Sequence, residues 1–167
     1  MNNISRYSFF VLVVVFSLLL SACTIKIDRQ ADGSLSLETV MTQEQIANEI
    51  NLAIGDTITK DLTVELKNGY IQLTGSRMRS SGQGSDILSA RLDIKAAGGK
   101  LSVVVSQATL NDRPLEKAVV DQWNERIARQ LERAAFRNPN ASAQNVTITP
   151  KQVTFLYRIE TMKSKGK

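Results

Sequence analysis

Four stretches of this chain alternate apolar and polar residues on either side of a turn signal, and that period of two limits the fold more than any other feature. The clearest is "LTVELKNGYIQLTG". A two-residue turn at Asn68-Gly69, the dipeptide favoured in type I′ hairpins, sets Leu66 opposite Ile71 and Val64 opposite Leu73. Thr63, Glu65, Gln72 and Thr74 then point away. In "ILSARLDIKAAGGKLSVVVSQATL" a turn at Gly98-Gly99 places Ile94 opposite Val103 and Leu92 opposite Val105, with Ser89, Arg91, Asp93, Lys95, Ser102 and Ser106 on the other face. In "NVTITPKQVTFLYRIE" a turn at Pro150-Lys151 aligns Ile148 with Val153 and Val146 with Phe155. The stretch "TIKIDRQADGSLSLETV" allows two registers. A two-residue Asp32-Gly33 turn sets Leu35 and Leu37 against Gln30 and Asp28; a three-residue loop from Ala31 sets Leu37 opposite Ile27, and this second register is the one expected. Alternation of this kind marks antiparallel strands that are wet on one side.

Two segments carry a helical period instead. In "MTQEQIANEINLAIGD", Thr42 and Gln45 have capping-box spacing, Met41 and Ile46 can close a hydrophobic staple, and Gly55 can end the helix. Ile46, Ile50, Ala53 and Ile54 share one face. A long helix is expected from about Pro114, where proline suits the first turn, to Phe136, where "RNPN" stops it. Leu115, Val119, Trp123, Ile127 and Leu131 follow at i+4, and Arg129, Arg133 and Arg137 sit late, as the helix dipole favours. Between the hairpins, "RMRSSGQGSD" reads as a mobile loop. The expected class is α+β: a twisted antiparallel sheet of about eight strands, in four hairpins, packed on one long and one short helix.

The N-terminus reads "MNNISRYSFFVLVVVFSLLLSAC", with Arg6 ahead of an apolar run from Phe9 to Leu20. Those twelve residues span roughly 18 Å as a helix, short of a bilayer core about 30 Å thick. A short apolar run ending in small residues is the pattern of an export signal. The chain's single cysteine follows at once, and one cysteine cannot form an intramolecular disulfide. Leu20-Ser21-Ala22-Cys23 resembles the lipobox of bacterial lipoproteins. That resemblance implies a signal peptide over residues 1–22, cleavage before Cys23, diacylglycerol on its thiol and an acyl chain such as palmitate on the new amino group. Two or more chains anchor firmly, since each buried methylene contributes about 0.8 kcal/mol. Residues 23–160 then form one domain, followed by a basic flexible tail, 161–167, carrying Lys163, Lys165 and Lys167. The expected location is the cell envelope, on the outer face of the cytoplasmic membrane. In a two-membrane cell Thr24, standing where Asp would imply retention, favours the outer membrane.

From "KLSVVVSQATL" through "NDRP", the long helix and "NVTITPKQVTFLYRI", the order of parts resembles small bacterial lipoproteins of the tubular lipid-binding (TULIP) type. Asp112 and Lys151 depart from that pattern, standing where glycine would be expected. The resemblance implies a sheet wrapped about the helix and an apolar groove for acyl chains, lined by Leu92, Ile94, Val103, Val105, Val119, Trp123, Ile127, Phe155 and Tyr157. Alternation alone fits a filled core equally well, because both arrangements need the same residues inside. The alternative function is therefore a structural or protein-interaction lipoprotein with a solid interior.

Catalytic chemistry is not expected. The chain has no histidine, which removes His bases and His-ligated metals, and no phosphate loop or nucleophile elbow appears. No cofactor or metal is called for. Cleavage removes Arg6, so the net charge of +5 falls to only +4 in the mature chain, too weak a basic excess to suggest nucleic acid as a partner. The expected partners are the membrane, through acyl chains on Cys23, and a lipid ligand.

Overall fold

The computed structural model describes residues 24–55, 61–79, 84–136 and 140–160. The leader with Cys23, the tail 161–167 and residues 80–83 of the expected loop lie outside the described residues. In chain order the elements are β1 (Thr24–Arg29), β2 (Leu35–Thr42), α1 (Gln43–Ile50) running into a π-helical turn (Asn51–Gly55), β3 (Asp61–Leu66), β4 (Ile71–Met78), β5 (Ser85–Ala97), β6 (Lys100–Leu110), β7 (Arg113–Pro114), α2 (Lys117–Ala135), β8 (Ala141–Ile148) and β9 (Gln152–Ile159).

All four hairpins pair in the expected register: Leu37 with Ile27, Val64 with Leu73, Ile94 with Val103, and Ile148 with Val153. Their assembly differs from the expected single sheet. Among the described residues nine strands form two antiparallel sheets, one ordered β1-β2-β9-β8 and the other β3-β4-β5-β6-β7. Pairing β2 with β9 closes the chain on itself and separates the outer hairpins from the inner two. The sheets meet at β8 through isolated bonds rather than a ladder: Ala143 N–H donates to Gly99 O at 2.8 Å and Gly69 N–H to Ile148 O at 3.0 Å. Alternation specifies the face of each strand and the partner across a short turn; it carries no information on which hairpins adjoin.

Three local readings are corrected. The Asn68-Gly69 turn is not type I′, since Gly69 has φ +83° while Asn68 is not among the described non-glycine residues at positive φ. Its Gly69 N–H is committed to β8, and that contact overrides the local preference. The expected loop is shortened at both ends by ladder, because Arg77 pairs with Asp86 and Met78 with Ser85. The long helix begins at Lys117, not Pro114. Asn111 and Asp112 take left-handed φ values of +51° and +61°, turning β6 back so that Thr109 pairs with Pro114. Leu115 N–H then bonds Ala108 O and holds the chain extended to Glu116.

The short helix starts as expected. Thr42 Oγ1 accepts from Gln45 N–H, the Gln45 side chain accepts from Thr42 N–H, and Met41 and Ile46 are both buried beneath the cap. Both sheets and both helices feed one apolar cluster, with Trp123, Ile127, Leu131 and Ala135 forming the buried stripe of α2.

α2 packs chiefly along β6, whose far side is otherwise unpaired until β7. Two side chains of the helix accept the freed strand N–H groups: Asn124 Oδ1 from Val105 at 2.7 Å and Glu132 Oε1 from Leu101 at 2.9 Å. Eight helical residues rise about 12 Å and four strand residues about 13 Å, so the two acceptors match the two donors in spacing. Ala128, midway between them, is partly buried against the core. At the end of α2, the buried Thr39 hydroxyl donates to Ala135 O at 3.1 Å, tying the helix to the other sheet. Asn124→Ala removes one acceptor and strands a buried N–H. It is expected to lower stability by about 1–3 kcal/mol, against less than about 0.5 kcal/mol for exposed Arg129→Ala, read from urea unfolding of the two variants.

Candidate functional site

The nine residues expected to line a groove are brought together. Leu92, Ile94, Val103 and Val105 come from β5 and β6, Trp123 and Ile127 from α2, and Phe155 and Tyr157 from β9; all eight are buried in the one cluster. Val119, on the first turn of α2, is only partly buried against its edge. Leu92, Ile127 and Phe155 have 0% exposure. A side chain without exposed surface has no water-sized space beside it, open or enclosed, and an acyl chain needs a wider passage than water.

Tyr157 is the polar member of this set. Its hydroxyl is buried with no hydrogen-bond partner, and its ring lies against Phe136 with centroids 5.5 Å apart. Burial chiefly, and the charge of Glu132 secondarily, push its pKa well above the ordinary phenol value, so it stays neutral.

A second feature, with no local signal in the sequence, is a cleft of about 450 Å³ beside the β1–β2 turn. Gln30, Ala31 and Asp32 of the turn line it with Ser36, Gln144, Leu156, Tyr157 and Arg158. Ser36, Leu156 and Arg158 alternate with the buried residues of β2 and β9, which places the cleft on the outer face of its sheet. Gln144 stands at the register shift of β8, where an extra residue redirects the strand. Its Nε2 donates to Ser142 Oγ at 2.8 Å.

Asp32 and Arg158, 126 residues apart, form an ion pair at this cleft. The Asp32 carboxylate also accepts from Ser34 Oγ at 2.6 Å and Ser34 N–H at 2.9 Å. The Ser34 bonds first, and the Arg158 guanidinium after them, hold the Asp32 pKa below its ordinary 3.8. The cleft offers paired charges and amides suited to holding a polar group by hydrogen bonds. Among the described residues no three His, Cys, Asp or Glu side chains cluster as metal ligands, and no helix is long and apolar enough to cross a membrane.

Comparison with protein-family models, with curated proteins and with solved structures finds no match.

A carboxylate depressed in the folded state contributes stability above its unfolded pKa and loses it as pH falls through the folded value. Asp32→Ala is therefore expected to lower the thermal midpoint at pH 7. The gap from the unaltered protein should narrow in acid, below the ordinary carboxylate range, and a gap independent of pH would contradict this account of the turn.

Proposed function

We propose that this chain is an exported, non-enzymatic envelope lipoprotein, anchored through acyl chains on Cys23, whose folded domain is an interaction module with a filled interior. Thr24 opens β1, so the domain starts one residue after the only cysteine. The observation that carries the choice of a filled interior over a groove is the 0% exposure of Leu92, Ile127 and Phe155. Contacts with envelope partners then fall to the surface, where the Asp32–Arg158 cleft is a built concave feature among the described residues.

A lipid-binding groove between the sheets and α2 is the second reading. It is favoured by the lone hydroxyl of Tyr157, a buried polar atom that the head of an apolar ligand would satisfy.

Ile127→Trp separates the two. In a filled core the added bulk is expected to cost about 1–3 kcal/mol and change no ligand content. In a groove it leaves stability intact and abolishes uptake of a fluorescent fatty acid. Mass spectrometry of an organic extract supplies the matching readout, with acyl ligands other than the anchor supporting the groove. For the anchor, Cys23→Ala is expected to leave an uncleaved precursor unlabelled by radioactive palmitate; maturation and membrane fractionation of that variant would remove the proposal.

A further inference from the structure

Three of the four sheet edges are met by hydrogen bonds from elsewhere in the fold. The edge formed by β6 with the two-residue β7 is met along β6 by Asn124 and Glu132, β8 is met by Gly99 and Gly69, and β3 by Gln43, whose Oε1 accepts from Leu66 N–H. The fourth edge is β1, and among the described residues nothing but its partner β2 bonds to it.

Exposed strand edges invite unwanted pairing and are normally covered or charged. This one is also apolar. Ile25 is 55% exposed and Ile27 61%, although their cross-strand partners Thr39 and Leu37 are buried. Both isoleucines thus lie on the core side of their sheet, just beyond where the core ends. By strand alternation Arg29 continues their row, and it too is exposed.

We infer that β1 is a membrane-docking edge, with Ile25 and Ile27 seated in the lipid interface and Arg29 reaching headgroup phosphates. The inference rests on the acylation proposed for Cys23, and its argument is the length of chain between anchor and strand. At about 3.3 Å per residue, Ile25 and Ile27 lie within roughly 7 and 13 Å of Cys23. The headgroup layer on each side of a bilayer is only about 5–8 Å deep. A strand standing along the membrane normal leaves Ile27 in water, whereas one lying flat brings both isoleucines against lipid. Exposed apolar surface selects the flat arrangement. The unpaired edge of the backbone then bonds to headgroups and interfacial water, which the hydrocarbon interior would not permit. Arg29 suits the same level, with its stem on apolar surface and its charge among anionic headgroups.

The test uses the full acylated protein in vesicles of phosphatidylethanolamine and phosphatidylglycerol. Ile27→Trp is compared with Val104→Trp, at a 49% exposed position in the other sheet, and buried Trp123 is the background. The expected result is a blue shift at position 27, with loss of most of the added emission to a shallow nitroxide-labelled lipid and little to acrylamide. Position 104 should behave the opposite way. Quenching of position 27 by acrylamide alone overturns the inference. Quenching by neither agent also overturns it, by placing protein on the edge, a second copy or the chain's own tail. Flotation distinguishes the two levels: protein that floats while position 27 is wet leaves the anchor standing, and protein that does not float removes both.

Discussion

The packing of α2 against the bare side of β6 is the contact on which the rest of the fold depends. A strand buried on its inner face and unpaired along one side leaves N–H groups that neither water nor a neighbouring strand can satisfy. Asn124 and Glu132 accept two of them, and the same helix places Trp123, Ile127 and Leu131 beneath the sheet. Polar closure of the edge and apolar closure of the core are therefore made by one element. Thr39 then joins the end of that element to the second sheet, so the two sheets share a helix even though they share no continuous ladder.

This arrangement has a bearing on the interior. With α2 fixed at both its polar acceptors and its C-terminal turn, the distance between helix and sheet is set by hydrogen bonds and not only by apolar bulk. Widening that space to admit a chain of methylenes would break directional bonds to Leu101 and Val105. The unpartnered hydroxyl of Tyr157, on β9, is buried in the same core, with its ring against Phe136 just past the end of α2. The complete burial of Leu92 and Phe155 and the lone hydroxyl thus pull the functional reading in different directions, and the burial weighs more because it involves many contacts rather than one absent bond.

Much of the local structure was legible in the sequence. Gly98-Gly99 and Pro150-Lys151 each set a register that the ladder obeys, and Thr42 with Gln45 marked the start of α1. What escaped were tertiary decisions. The start of α2 moved because Asn111 and Asp112 adopt left-handed conformations held by the neighbouring strand: Ile87 N–H donates to Asn111 Oδ1 at 2.8 Å, and Asn111 N–H donates to Ile87 O at 2.8 Å. Asp32 and Arg158 meet only because β2 pairs with β9, and nothing near either residue announces the other. Alternation puts Ile25 and Ile27 of β1 on the face of buried Thr39 and Leu37, yet both are exposed; a periodic pattern does not say where a core ends.

The match between α2 and β6 has a consequence for how this chain can vary in length. One residue inserted between Asn124 and Glu132 would turn everything beyond it by about 100° and advance it about 1.5 Å, swinging Glu132 away from Leu101. One residue inserted between Leu101 and Val105 would flip the following side chains to the opposite face of the sheet. Neither change is repaired by the other, since a helical step and an extended step differ in both rise and rotation. Within this short span, exchange of residues is expected to be tolerated far more readily than gain or loss of them, and changes of length are expected only in the turns.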